Sequence, residues 1–297
     1  MTGSTGVRTP RAGAGAQRGR PPSESPAGTL TYVLLVLTIV LSALPLYWMF
    51  VVGSSGEDDV FRVPPPTAPG DALSDNVRAV FAADNVFFLA SLVNSLLVAV
   101  VVTASVLVFC SLAGFAFAKL RFRGRNPLMF FLILTMTVPN QLGVVALYIV
   151  MGKFDLNGTP AAVILPGLVT AFGVFYMRQF IVEAVPDELI EAARVDGAST
   201  LRIFRSVVAP TLRPALGVLG LFTFTASWND FQWPLITLSG SEYPTVQVAL
   251  SNLASGQYVV FSRLLAGALL ATLPLLIVFV VAGKQIVAGI MEGAVKS

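Results

Sequence analysis

The richest chemistry in this chain lies in one short run, Val185-Pro-Asp-Glu-Leu-Ile-Glu-Ala-Ala-Arg-Val-Asp-Gly197. Its residue types suit contact rather than bond-making. Glu191 offers a charge for an Arg or Lys across an interface, while Ala192, Ala193 and Gly197 let another backbone approach closely. The spacing predicts a short helix. Pro186 fits its first turn, where a missing N–H costs nothing. Asp187 and Glu188 sit against the positive helix start, and Gly197 closes it in the left-handed conformation. Leu189, Ala192, Ala193 and Asp196 fall on one face. A second helix follows, with Ser199 as cap, Leu201, Phe204 and Val208 on one side, Arg202 and Arg205 on another, and Pro210 as its stop. Two such helices make either a docking element or a hairpin lying on a membrane surface.

Other chemistries are excluded by what is missing. There are no histidines and a single cysteine, Cys110. His-based catalysis, disulfides and Cys-based metal sites are therefore unavailable. No G-x-x-x-x-G-K-S/T phosphate loop occurs, so this chain is expected to bind no nucleotide and no other cofactor. Neutral polar groups lie within apolar runs instead: Asn94, Ser95, Asn140, Gln141, Thr170, Thr223 and Thr225. Asn94, Asn140 and Gln141 are candidates for lining a solute path, the alternative being hydrogen bonds between helices. Pro139 places a kink beside Asn140 and Gln141. Ion-coupled carriers keep ionisable groups within the membrane, and the apolar runs here hold essentially none. An uphill transporter of this kind draws its energy from another subunit.

The elements that position these groups follow from composition. The chain has 297 residues, 55% hydrophobic and 12% charged, against about 25% charged in soluble domains. Too few polar side chains remain to coat a soluble surface, which predicts an all-α polytopic membrane protein. Six runs are each near the roughly 20 residues needed to cross a bilayer: Leu30–Val52, Val86–Ala118, Pro127–Gly152, Ala161–Ile181, Ala215–Trp228 with its flanks, and Leu264–Ala282. Residues 1–28, rich in Gly, Ala, Pro, Ser and Arg, read as a disordered tail. Residues 29–297 then form the membrane domain, with the docking loop at 183–213. Of the 19 Lys and Arg residues, only Arg62, Arg78, Lys153 and Arg263 fall on one side. The positive-inside bias puts the other side, with both termini, in the cytoplasm. The basic groups sit in loops between spans, which points to the lipid bilayer and not to nucleic acid. The outer segment Gly53–Asn85 reads as an extended surface connection.

Glu191-Ala192-Ala193-Arg194-Val195-Asp196-Gly197-Ala198, with Pro210 downstream, resembles the "EAA" loop of bacterial ABC import permeases. Asn94-Ser95-Leu96, Phe117–Phe122, Val138–Gln141, Ser227-Trp228-Asn229-Asp230-Phe231 and Glu292–Lys296 are similar to the carbohydrate-uptake branch, in particular the shorter maltose-type subunit. The likeness runs from Leu30 to the end. It implies a type I ABC importer permease in the bacterial plasma membrane, with no enzymatic activity of its own. By the same resemblance, its partners are a second homologous permease subunit, two ATPase subunits and an extracytoplasmic solute-binding protein. Glu191, Ala192, Ala193, Asp196, Gly197 and Ala198 would form the coupling helix in a cleft of the ATPase. Trp228, Asn229 and Asp230 would face the binding protein, and Gly293–Lys296 would reach toward the ATPase dimer. The implied solute is a di- or oligosaccharide, with a glycerol-phosphate ester as the alternative. A stand-alone carrier or channel is the competing class.

Overall fold

A computed structural model describes residues 28–84, 86–255 and 258–294, with side chains up to Gly283. The expected tail up to residue 27 and residues Val295–Lys296 lie outside the described residues. Two units divide the chain, Met1–Pro45 and Leu46–Ser297. The first is described from Gly28 and holds the opening turns of α1 (Thr29–Ser54), whose Leu, Val and Ile side chains from Leu30 to Leu44 are exposed. Among the described residues every regular element is helical, as the composition predicts.

The second unit runs from the end of α1 through α2 (Glu57–Val60) and α3 (Leu73–Phe81) into α4 (Phe88–Lys119). At 32 residues, α4 is about 48 Å long and is the central post. Small residues let its neighbours approach. A Cβ at Gly114 would meet Met177 Cβ at 2.8 Å and the Arg178 backbone nitrogen at 2.9 Å, so this glycine sets the crossing with α8. Val98, Val106 and Cys110 of α4 pack with Met177, Ile181 and Leu219 in one core, and Phe88 joins Phe224 and Trp228 in a second.

The third predicted run is not one helix. It divides into α5 (Arg125–Met136), a 3-10 turn (Asn140–Gly143) and α6 (Val144–Lys153), bent by 93°. Pro139 causes the break: it has extended geometry (φ −60°, ψ 125°) and no N–H to donate. The fourth run is α7 (Pro160–Gly167) and α8 (Ala171–Ala184), joined at Thr170, whose hydroxyl accepts the Gly173 N–H at 3.0 Å. Next come α9 (Asp187–Val195), α10 (Thr200–Ile203), a π-turn over Phe204–Val208 and α11 (Ala209–Thr211). The chain then bends by 79° into α12 (Arg213–Trp228). Pro210, expected to stop the second loop helix, sits inside α11. The widened π-turn before it, with Ala209 N–H donating to Phe204 C=O, makes room for the ring. Elements α13 (Gln232–Thr237), α14 (Val246–Leu253) and α15 (Phe261–Ala294) complete the chain. Four stretches, Thr29–Ser54, Phe88–Lys119, Pro160–Ala184 and Phe261–Gly283, are long and apolar enough to cross a membrane, and up to six are if each of the two bent pairs counts as one span.

The loop expected to be extended, Gly53–Asn85, contains α2 and α3 and is tied down. The Glu57 carboxylate accepts both the Phe261 and the Ser262 backbone N–H at 3.0 Å, and the Ser262 hydroxyl at 2.7 Å. An acidic group at a helix start satisfies donors that have no intrahelical acceptor.

Candidate functional site

Two places gather the residues singled out above. At the first, Pro186 stands just before α9 as its cap, one position ahead of the expected first turn, and Asp187 and Glu188 open the helix. Gly197 has φ +74°. Its N–H donates to Arg194 C=O at 3.0 Å, and the Ala198 N–H donates to Ala193 C=O at 3.0 Å. That pair of bonds is a Schellman closure. Ile190 is the buried anchor, with Ala193 and Ala198 half-buried against the core. The predicted shared face therefore splits: Ala193 turns inward, while Leu189, Ala192 and Asp196 are exposed, as are Glu191 and Gly197. Exposure extends to large apolar side chains, 88% at Val195, 68% at Leu201 and 50% at Leu189. Leu201 was expected beside Phe204 and Val208; Ile203 takes that buried place instead. Ser199 caps α10 as predicted, accepting the Arg202 N–H at 3.4 Å.

A contact that sequence spacing did not reveal orients α9. Lys119, at the end of α4, donates to Asp187 at 2.6 Å, with the lysine side chain buried and the aspartate exposed. The hydrogen bond and charge of Lys119, helped by Arg121 and Arg125, hold the Asp187 carboxyl below the usual range.

The second place is a cavity of about 900 Å³. The broken third run supplies Pro139 and Asn140, the α7–α8 join supplies Pro166, Thr170 and Phe172, and the segment after α12 supplies Asp230 and Trp233. Trp233 is fixed by its Nε1–H donating to Ala162 C=O at 3.0 Å. Asp230 lies beyond the last residue of α12, half-buried. Burial pushes its carboxyl up, against a hydrogen bond from the Trp233 backbone. The wall thus presents an amide, a hydroxyl, a carboxylate and an indole, with no Lys or Arg. This set can hydrogen-bond and stack on a hydroxyl-rich solute. It supplies no nucleophile–base pair. Among the described residues no group of His, Cys, Asp and Glu is placed to hold a metal.

Of the candidate path residues, only Asn140 lines this cavity. Gln141 is exposed beside it. Asn94 is elsewhere and donates to Pro244 C=O at 3.3 Å, while its neighbour Ser95 accepts the Val246 N–H at 2.8 Å. Those two residues staple α4 to the start of α14. Trp228 corrects another expectation. It is 1% exposed, stacks on Phe224 and donates Nε1–H to Ala271 C=O at 3.2 Å. Its indole is packing, unavailable to a docking protein. Asn229 is exposed and accepts from Gln247 at 3.4 Å. Trp233 was missed, although it stands in the same polar-aromatic run.

Residues 108–290, which include both places, match the family described as "binding-protein-dependent transport system inner membrane component". The chain belongs to this family. The permease is 34% identical to the lactose transport system permease protein of Rhizobium radiobacter over 265 residues, 89% of this chain and 95% of that one. It is 31% identical to the sn-glycerol-3-phosphate transport system permease protein of Pectobacterium atrosepticum, covering 88% and 95%. It is 32% identical to the arabinooligosaccharides transport system permease protein of Bacillus subtilis, covering 75% and 78%. Among solved structures it is similar to a bacterial ABC transporter involved in import of the acidic polysaccharide alginate. That likeness has a TM-score of 0.72 and 25% identity, over 86% of this chain and 94% of the other. The permease is thus a multi-pass inner-membrane transport component and not an enzyme, as the coupling-loop resemblance implied.

Proposed function

We propose that this permease forms half of the solute path of an ABC importer for a neutral di- or oligosaccharide. Its partners are a second homologous permease subunit, two ATPase subunits under the basic face, and an extracytoplasmic binding protein on the opposite face. The observation that carries the coupling role is the outward apolar set Leu189, Val195 and Leu201 around the Gly197 closure. Exposed apolar side chains of this size on a rigid, capped helix mark a contact surface. Closure of the ATPase pair would carry α9 as a rigid body, and the Lys119–Asp187 pair would pass that motion to α4. The cavity at the Pro139 break would then open alternately to the two sides.

The neutral solute is supported by the cavity wall, where Asp230 stands without a basic partner among the lining residues. The glycerol-phosphate reading draws on the relative named for that solute, and an anion there would face Asp230 with no cation to offset it. Orientation rests on the basic loops. Of Trp228, Asn229 and Asp230, binding-protein contact falls to Asn229, since Trp228 is buried and Asp230 lines the cavity.

The test is capture of the tagged chain from mild-detergent membranes, with mass spectrometry of what accompanies it. An ATPase, a second permease and a secreted solute-binding protein are the expected companions. A chain that purifies alone refutes the coupling role.

A further inference from the structure

Between the end of α4 and the start of α5 the chain makes a tight, strongly basic turn. Lys119, Arg121, Arg123 and Arg125 fall within seven residues. Lys119 is engaged by Asp187 at 2.6 Å. Among the described residues Arg121 and Arg125 make no ion pair, although their charges reach Asp187. They line a pocket of about 420 Å³ together with Phe122, Gly124, Asn126 and Pro127. Gly124, at φ +86°, makes the reversal that brings residues 121 and 125 together. Arg125 is half-buried and spends one donor on Leu120 C=O at 3.3 Å, leaving the rest of its five-donor fork free. The Asn126 N–H, in the first turn of the 12-residue α5, has no intrahelical acceptor.

We infer that this pocket binds the phosphate headgroup of an anionic membrane phospholipid. The chemistry is that of a phosphate diester held between two guanidinium groups, with a helix-start amide beside it. A free phosphate would satisfy the same donors, and the flanks of the pocket decide for lipid. The turn joins α4, long and apolar enough to cross a membrane, to α5, the first half of a bent pair that passes the same test. Phe122, Leu128, Phe130 and Phe131 beside it are exposed, with Phe130 and Phe131 more than 60% so, as side chains against acyl tails are. The general bias of basic loops to one side accounts for the charge of this turn. It does not account for two arginines converging on one pocket beside an apolar wall, the arrangement by which basic pockets at the ends of membrane helices hold headgroups. The site does not rest on the solute reading, and it adjoins the Lys119–Asp187 pair at the foot of α9.

The experiment uses the full chain, delipidated in a neutral detergent and re-equilibrated in micelles holding phosphatidylglycerol and phosphatidylcholine, with bound lipid counted by native mass spectrometry. Wild-type protein should retain phosphatidylglycerol preferentially. Arg121→Gln, at an exposed position that leaves folding intact, should lower that preference about five-fold, and Arg121→Gln/Arg125→Gln further. The charge-matched Arg202→Gln/Arg205→Gln variant should retain it. Equal preference in wild type and both Arg121 variants, or an equal loss in the Arg202/Arg205 variant, overturns the site. Displacement of the lipid by inorganic phosphate at comparable concentration overturns the lipid assignment in favour of a soluble anion.

Discussion

Helix α9 and the cavity are held in opposite ways. Helix α9 is defined by bonds between residues a few positions apart: the Gly197 and Ala198 closure, the acidic first turn, the single buried anchor Ile190. The cavity is defined by residues brought from three distant places, Asn140 at a broken helix, Thr170 at a second break, and Asp230 with Trp233 beyond α12. The first is a rigid, self-contained part that presents an outward surface. The second is a space whose shape exists only while the helices around it are correctly crossed. Damage to the helix frame should destroy both, whereas local damage should separate them.

The largest effect is expected where the two regions share a frame. A Gly114→Val change places Cβ against the backbone of α8, a clash that side-chain motion does not relieve. Overpacking of this kind costs about 1–3 kcal/mol. Monodisperse yield and the melting midpoint in detergent should both fall, together with all transport. Normal melting and transport would refute the shared frame.

Next comes Gly197→Val. A β-branched residue at φ +74° adds about 1–2 kcal/mol of local strain, and the space around the position is open. Membrane yield should hold while ATPase co-purification falls about ten-fold. Loss of yield in parallel with coupling would show that α9 is part of the frame after all.

The α9 region was legible in the sequence because its determinants are local: a proline, two acids, a glycine and a serine at fixed offsets. The number of apolar runs was legible for the same reason. Pro139 was recognised as a bend, but not as the site of a 93° turn, since its angle depends on what α7 and α8 leave beside it. The Lys119–Asp187 bridge, the Glu57 cap on α15 and the Trp228–Ala271 bond join residues 68, 205 and 43 positions apart at the widest. No local pattern announces such pairs. Asn94 misled for a related reason: a buried amide looks alike whether it faces a solute or a carbonyl such as that of Pro244.

A smaller change sharpens the cavity side of the comparison. Asp230→Asn removes a charged acceptor from the wall while keeping its size. Uptake of the neutral sugar should fall about five-fold with ATPase co-purification unchanged. Unchanged uptake would remove Asp230 from the path.

The smallest effect is expected at Asp187→Asn, in a pair whose acid is exposed. Amide exchange across α9 should quicken a few-fold. Acid should mimic it. The Asp187 carboxyl is held below its usual range, so the pair persists at neutral pH and is lost as pH falls through that lowered value. Exchange that speeds up on raising pH, beyond the intrinsic chemistry, would contradict this sign.

The coupling role of α9 is tested most directly by cross-linking from Val195. Cys110 is the only cysteine and is buried, so Val195→Cys introduces the one accessible thiol on this surface. A short bifunctional thiol–amine reagent in native membranes should give a single adduct with an ATPase subunit, its yield changing when ATP is added. A Val63→Cys control, on the opposite face, should give none. If Val195→Cys reacts with small maleimides yet forms no ATPase adduct, α9 is not the coupling helix.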